Sequence, residues 1–374
     1  MLIPLSEATR AACGGKAATL AVLLRAGLPV PDGFVVPFTV SPPPEEVARE
    51  LERMGDPVVA VRSSASDEDS AGASAAGQYE SILGVRGASD VSDAIAACKE
   101  SARADRVTGY RNRTGVSPSE PDMAVIVQRL VDADVSGVMF TPEHAGGSTR
   151  IEASWGLGLN VVGGTVTPDT YEVTPDGAIR YAIGRKETRT DAGHENGGVT
   201  TSAVSELART ARALDDDAVD SLAGLGSRIA ALLGGPQDVE WAIADGRVVV
   251  LQARPVTAPL PSLAAPDSGG ALTGTPGSHG VVTAHARIVR GPSDFPRVRP
   301  GEVIVCKYTD PAWTPLFTIA AGVITETGGA LSHAAIVARE YGIPAVLGVA
   351  GATTRIQAGD RLTLDGTAGT VTPA

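Results

Sequence analysis

Apolar residues recur along the chain at helical spacing in some segments and as unbroken runs in others. Leu20, Leu23 and Leu24 fit one face of a helix that ends at Gly27. Similar patterns predict helices over 90–114, 202–214 and 217–233. Short segments rich in apolar residues predict strands near 58–62, 123–131, 136–140 and 150–158, and the second of these strands is expected to be buried. The first two thirds of the chain are therefore predicted to mix helices and strands.

A hairpin signal and a linker composition mark the later part of the chain. Asp245 and Gly246, between two apolar runs, predict a hairpin over 237–255. Pro, Ser, Gly and Ala dominate residues 258–273, which is typical of a linker. Beyond it, strands are predicted at 275–289, 302–306 and 322–325. A Gly-Gly turn then leads to a helix that starts near Ser332.

Composition narrows the class of protein. A chain of 374 residues, 43% of them hydrophobic, has room for two or three globular domains. Its three widely spaced cysteines form no disulfide framework, which favours a reducing cytoplasm. The first residues lack a basic region ahead of an apolar core, so we expect no signal peptide there, and no apolar run has membrane-spanning length. A net charge of −12 argues against nucleic acid or an anionic membrane surface as a partner.

His333 is the first candidate for chemistry. Two glycines ahead of its helix can turn backbone amides to one side, and the helix dipole favours an anion beside the ring. The same dipole disfavours the imidazolium, and a neutral imidazole is a nucleophile. A lone histidine in this position more often caps or packs. As a functional residue, it is predicted to carry a phosphoryl group.

Two basic residues are candidates for phosphate binding. Lys16 follows two glycines at a helix start, where a cation is electrostatically unfavourable. Arg62 ends an apolar strand, and the Ser-, Ala- and Gly-rich segment that follows extends to Gly77. The bare backbone of such a loop can close over a polyphosphate, whose oxygens suit a guanidinium. The alternatives are a solvated lysine and a loop that is merely flexible.

The predicted hairpin carries a third set of polar residues. Glu240, Gln252 and Arg254 keep the same parity along their strands, so their side chains are expected on one face. Carboxylate and carboxamide oxygens are hard ligands that suit Mg²⁺. The alternative is that these are polar residues at strand ends that face water.

Three sequence runs carry a family resemblance. The run from Thr325 through Ser332-His333 to Gly-Ile-Pro-Ala-Val, the Val-Arg-Ser-Ser-Ala run at 61–65, and Asp-Val-Glu-Trp with Leu-Gln-Ala-Arg-Pro at 238–255 are similar to the signatures of one family. It is the phosphoenolpyruvate synthase, pyruvate phosphate dikinase and rifampicin phosphotransferase family. The resemblance implies an α/β (α+β) fold: an ATP-grasp nucleotide-binding domain over 1–257, a flexible linker over 258–273 and a swivelling β/β/α phosphohistidine domain over 274–374.

The resemblance also implies a role for each matching residue. His333 would be the phosphocarrier, and Mg²⁺ would be held by Glu240 and Gln252. Ser81 stands where the family more often has threonine, and Gln128 matches a residue that lines the adenine pocket. The implied ATP-binding residues are Lys16, Arg62, Gly77, Ser81, Gln128, Glu240, Gln252 and Arg254.

Three functional hypotheses follow. The leading one is an ATP-dependent, AMP-forming phosphotransferase with a small-molecule acceptor. Family members have a pyruvate barrel or an antibiotic-binding insert. The linker here is too short for an insert, and we expect no pyruvate barrel. The identity of the acceptor is therefore not determined by the sequence. The second is a phosphocarrier subunit that passes phosphate to a separate chain carrying the missing substrate domain. The third, a degenerate nucleotide sensor, is disfavoured because all the charged motif residues are present.

Overall fold

The structure is a computed structural model that describes residues 1–66, 81–101, 122–144, 146–193, 197–256, 260 and 271–374. Gly77, predicted to bind ATP, lies outside these residues, as does most of the predicted linker at 258–273. Among the described helices, none combines the length and apolar character needed to cross a membrane.

A five-stranded antiparallel sheet comes first, in the order β1-β2-β5-β3-β4. Its strands are β1 (Ile3–Pro4), β2 (Gly33–Val36), β3 (Val59–Ala65), β4 (Ser81–Val85) and β5 (Met123–Arg129). Alternate residues of β5 enter two separate cores, Val125 and Val127 on one face and Ala124 and Ile126 on the other. The sheet is therefore covered on both faces, which explains why its strands are continuous apolar runs.

A six-stranded antiparallel sheet follows, in the order β13-β12-β6-β7-β8-β9, with a separate β10-β11 pair. The strands are β6 (Val135–Phe140), β7 (Thr149–Trp155), β8 (Asp169–Val173), β9 (Ile179–Ala182), β10 (Thr188–Ala192), β11 (Val199–Ala203), β12 (Gln237–Ala244) and β13 (Arg247–Pro255). Asp245 and Gly246 have φ values of 50° and 70°, so they form the predicted two-residue hairpin turn between β12 and β13.

Among the described residues of the N-terminal part, six segments are α-helical. They are α1 (Arg10–Arg25), α2 (Pro44–Arg53), α3 (Ala88–Glu100), α4 (Leu159–Val162), α5 (Glu206–Thr210) and α6 (Asp216–Leu233). Leu20 and Leu23 of α1 share one core with Ile126 of the first sheet and Trp241 of the second. Helix α1 therefore lies between the two sheets and joins them.

Gly14 bends α1 where it meets β3. Its φ of 81° and ψ of 176° interrupt the helix, and a Cβ there would lie 2.5 Å from the carbonyl oxygen of Ser64. Only glycine permits both that backbone and that approach. The second helical segment therefore begins beside β3, with Lys16 in its first turn, as the sequence predicted.

The C-terminal part is built on an eight-stranded sheet, ordered β14-β21-β20-β16-β17-β18-β19-β15. Strands β16 to β19 are parallel, and antiparallel strands flank them. Its strands are β14 (Leu272–Thr273), β15 (Thr275–Ser278), β16 (Val281–Ile288), β17 (Val303–Cys306), β18 (Gly322–Thr325), β19 (Ala345–Leu347), β20 (Arg361–Asp365) and β21 (Thr370–Pro373). Its helices are α7 (Thr314–Phe317), α8 (His333–Tyr341) and α9 (Ala352–Arg355).

Two sequence expectations differ from this fold. Residues 199–203 form β11, so the predicted helix over 202–214 is reduced to α5, because the segment pairs with β10. Leu272 and Thr273, at the end of the predicted linker, already pair with Val371 and Thr370. The first strand of the C-terminal sheet therefore begins two residues before the predicted domain start.

Candidate active site

A cavity of about 340 Å³ lies where both N-terminal sheets face the start of α8. Its walls include every described residue that the sequence selected for ATP binding or catalysis. These are Lys16, Arg62, Ser81, Gln128, Glu240, Gln252, Arg254 and His333. These residues come from five strands and two helices. They line one cavity although the first and the last of them are more than 300 positions apart in the chain.

Arg62 joins the two N-terminal sheets across this cavity. Its Nη2 donates to Oε1 of Gln252 at 2.7 Å and to Oε2 of Glu240 at 3.0 Å, and its Nη1 donates to the carbonyl of Leu251 at 2.7 Å. Glu240 and Gln252 are direct partners across the β12–β13 hairpin, so their side chains leave the same face. The predicted shared face is therefore correct, but it depends on a register shift between Glu240 and Trp241 that the sequence analysis did not include. Both side-chain oxygens converge on one cationic nitrogen.

This oxygen pair suits a magnesium ion. Mg²⁺ is commonly held by one or two protein oxygens together with phosphate oxygens. Glu240 and Gln252 supply a carboxylate and an amide oxygen that already bind a shared positive charge. No cluster of three or more His, Cys, Asp or Glu ligands occurs in the described part of the chain. The two donors therefore fit a metal that phosphate oxygens help to hold.

Arg254 is held by a residue that the sequence analysis did not select. Its Nε and Nη2 bind Oδ2 of Asp238 at 2.9 and 2.8 Å, in a bridge whose side chains are 11% and 5% exposed. Burial raises the pKa of Asp238, and the charge of Arg254 opposes that rise. The sequence could have indicated Asp238, because it lies two residues before Glu240 on the same strand and its side chain therefore points to the same face.

Lys16, Gln128 and Ser81 complete the N-terminal wall. The ammonium group of Lys16 donates to the carbonyl of Ser63 at 3.0 Å, on the strand that carries Arg62. The amide nitrogen of Gln128 donates to the carbonyl of Pro31 at 3.1 Å, which fixes that side chain. Ser81 is the cross-strand partner of Arg62. Pairing among β3, β4 and β5 thus places Arg62, Ser81 and Gln128 on the same face of the first sheet.

His333 is the first residue of α8 and is only 5% exposed. Its Nδ1 lies 2.9 Å from the hydroxyl oxygen of Thr309, and its Nε2 is a buried atom with no hydrogen-bond partner among the described residues. When Nδ1 carries the proton and donates to Thr309, the lone pair resides on Nε2. The ring then has one nitrogen anchored and one available for chemistry.

Burial keeps this imidazole neutral. It lowers the pKa of His333 to about 4, and the nearby charge of Asp310 opposes the shift only in part. The direction of the pKa shift agrees with the sequence prediction, and its largest cause is the loss of solvent around the ring. Ser332 occupies the predicted N-cap position, although its hydroxyl donates to the carbonyl of Gly329 instead of accepting from a helix amide.

The loop ahead of His333 touches the N-terminal part directly. Both oxygens of Glu152, on β7, accept from backbone amides of this loop: Ala330 at 2.7 Å and Leu331 at 3.2 Å. The hydroxyl of Thr327 donates to the carbonyl of Gly164 at 2.6 Å. Sequence reasoning missed Glu152, although an acidic residue in the middle of a predicted strand was a usable signal.

Two family models match the chain. The pyruvate phosphate dikinase AMP/ATP-binding domain matches residues 44–262, and the mobile domain of PEP-utilising enzymes matches residues 298–369. The predicted order of a nucleotide-binding domain followed by a domain of PEP-utilising enzymes is thereby confirmed.

Curated relatives give the same assignment. A probable phosphoenolpyruvate synthase of Methanothermobacter thermautotrophicus is 34% identical over 96% of this chain and 61% of its own length. A probable phosphoenolpyruvate synthase of Pyrococcus abyssi is 38% identical over 84% of the chain and 40% of its length. The phosphoenolpyruvate synthase of Pyrococcus furiosus is 35% identical over 88% and 44%. The chain therefore spans about half the length of these relatives.

With its AMP/ATP-binding domain, its PEP-utilising mobile domain and these relatives, the chain belongs to the phosphoenolpyruvate synthase and pyruvate phosphate dikinase family of phosphotransferases.

Proposed function

We propose that this chain catalyses an ATP-dependent, AMP-forming phosphoryl transfer through a phosphohistidine at His333. The overall reaction converts ATP, water and an acceptor into AMP, phosphate and a phosphorylated acceptor. One observation carries the proposal: Nε2 of His333, buried and without a described partner, belongs to a residue that lines the same cavity as the predicted ATP-binding side chains.

The side chains around the cavity have distinct roles in this reaction. Lys16, Arg62 and Arg254 line the cavity, and their three positive charges would neutralise the phosphates of a bound triphosphate. Glu240 and Gln252 would hold Mg²⁺, which neutralises phosphate charge when it is bound. Arg62 now shares those two oxygens, so metal binding would release its guanidinium toward the phosphates.

The atom balance of an AMP-forming reaction determines the bonds that change. The lone pair of Nε2 attacks the middle phosphorus of ATP, and AMP leaves with the bridging oxygen. Water then takes the terminal phosphoryl group as inorganic phosphate, which leaves a single phosphoryl group on His333. An acceptor oxygen finally attacks that phosphorus, and the N–P bond breaks to restore the neutral ring.

The final transfer requires His333 to leave this cavity. At 5% exposure the ring cannot meet a second substrate here while the nucleotide occupies the same space. We therefore propose that the domains predicted at 1–257 and 274–374 separate between the two half-reactions. The acceptor is proposed to be a small molecule with a hydroxyl or carboxylate group.

The decisive experiment incubates the chain with Mg²⁺–ATP and identifies both products. We expect AMP rather than ADP, together with an acid-labile, base-stable phosphate on the protein. The His333→Ala variant should carry no such phosphate while binding ATP within a few-fold of the wild type. Stoichiometric ADP without AMP, or full labelling of His333→Ala, would refute the proposal.

A further inference from the structure

Glu152 and Glu240 occupy equivalent places on one sheet face. Val138 of β6 is the direct partner of Glu240 on one side and of Glu152 on the other. Directly opposed residues point to the same face, and two strand spacings amount to about 10 Å. Glu152 therefore lies beside the predicted metal ligands, on the surface that receives the loop before His333.

That surface is complementary to the loop in shape. Leu331 packs in an apolar cluster with Val138, Phe140 and Val161. Gly329 lies so close to the carboxylate that a Cβ at this position would overlap both oxygens of Glu152. The φ of Gly329 lies outside the range of +20° to +160° that L side chains rarely adopt, so the absence of a side chain is required by Glu152 rather than by the local conformation.

Positive charges lie near the carboxylate of Glu152 on both sides of its contact with the loop, one on the N-terminal sheet and one on α8. Burial raises the pKa of Glu152 to about 7, whereas the two loop amides and the positive charges of Arg150 and Arg339 oppose that rise. Arg150 is on the same strand, and Arg339 is on α8, where it donates to the carbonyl of Ala330 at 2.7 Å. Glu152 is thus held between the N-terminal sheet and the helix of His333.

We propose that Glu152 is a positioning residue that aims His333 at the nucleotide by holding the amides of Ala330 and Leu331. The inference rests on the proposed function, because the position that it sets is the one needed for attack on ATP. Glu152 touches neither ATP nor the reacting ring in this role. Its effect is confined to the half-reaction in which His333 lies in the cavity.

Two variants remove the contact from opposite sides. Glu152→Gln keeps the size of the side chain but offers one acceptor oxygen, and its NH₂ group opposes the second loop amide. Gly329→Ala leaves Glu152 intact and displaces it sterically. Glu172→Gln is the matched control, because Glu172 lies on the adjacent strand opposite Arg150 and its ion pair is with Arg180.

The experiment compares two phosphoryl donors on the full chain. ATP phosphorylates His333 only when the ring lies in the cavity, whereas phosphoramidate, which releases ammonia, needs no nucleotide site. In Glu152→Gln and Gly329→Ala we expect labelling by ATP to slow at least tenfold, with the KM for ATP within twofold of the wild type. Labelling by phosphoramidate should be unchanged, and Glu172→Gln should match the wild type with both donors.

Hydrogen exchange of the peptide 326–333 gives a readout independent of catalysis. The amides of Ala330 and Leu331 should exchange at least tenfold faster in both variants. Wild-type rates of ATP labelling or of exchange in either variant would overturn the positioning role, as would an equal loss with both donors. If the wild type does not accept phosphate from ATP, the proposed function is refuted instead. The exchange rates would then still show whether Glu152 holds the amides of Ala330 and Leu331.

Discussion

The hydroxyl oxygen of Thr309 lies 2.9 Å from Nδ1 of His333, and both residues are almost fully buried. The pair connects the loop before α7 to the first turn of α8. Because a neutral imidazole has one protonated nitrogen, the partner of Nδ1 determines whether Nε2 holds the lone pair. Thr309 therefore orients the ring, and when its hydroxyl accepts the proton of Nδ1 the lone pair lies on Nε2.

Replacing Thr309 should slow phosphorylation of His333. Thr309→Val preserves shape but leaves Nδ1 without its buried partner, a loss of roughly 1–2 kcal/mol or about tenfold in rate. Thr309→Ser should restore most of the rate. Single-turnover labelling with ATP measures both variants, and a wild-type rate in Thr309→Val would contradict this role.

His333 should titrate far below an ordinary histidine. Burial lowers its pKa to about 4, so the folded protein binds fewer protons here than the unfolded chain between pH 4 and 6.5. The stability contributed by this group is complete above pH 6.5 and is lost as the pH falls through 4. In NMR titrations we expect the His333 ring signals to keep their neutral positions down to pH 5. The spectrum of His333→Ala assigns those signals, and a midpoint near 6.5 would show that the ring is exposed to solvent.

Glu240 should be needed for the affinity of Mg²⁺–ATP. Glu240→Gln removes the carboxylate that now pairs with Arg62, and a charge-assisted contact is worth roughly 1.5–3 kcal/mol, or about ten- to a hundredfold in Kd. Isothermal titration with and without Mg²⁺ measures the change. Glu302, paired with Arg287 in the C-terminal sheet, is the control, and Glu302→Gln should bind ATP normally. Equal losses in both variants would argue against a local role.

Lys186 should be essential for stability. Its ammonium group pairs with Asp169, and both side chains are at most 1% exposed. Asp169 also accepts from the amides of Gly184 and Ala213, so it fixes three segments. Lys186→Met leaves a buried carboxylate uncompensated and should lower the free energy of unfolding by about 3–5 kcal/mol.

The exposed pair of Arg212 and Asp216 is the control for that measurement. Asp216→Asn should cost less than about 1 kcal/mol, because solvent screens the pair. Urea unfolding of both variants provides the comparison. A loss below about 1 kcal/mol in Lys186→Met would mean that the site relaxes or admits water.

Local patterns predicted the site where one strand or one turn determines geometry. The shared parity of Gln252 and Arg254 could be read from spacing along β13. The Asp245-Gly246 turn alone would pair Glu240 with Leu251, and a register shift between Glu240 and Trp241 brings Glu240 opposite Gln252 instead. The helix start at His333 followed from the two glycines and Ser332. Residues 202–214 were misread as one helix because pairing between β10 and β11 outweighs local helical propensity.

By itself, the sequence determined the family resemblance, the identity of the candidate phosphocarrier and the chemical types of its partners. Only the tertiary structure decided which groups support it: Thr309 beneath the ring, Asp238 behind Arg254, and Glu152 against a loop 178 residues away. Such contacts depend on how separate sheets pack. Spacing along a single strand or helix carries no information about packing between sheets, because the burial of apolar faces that drives it is not directional.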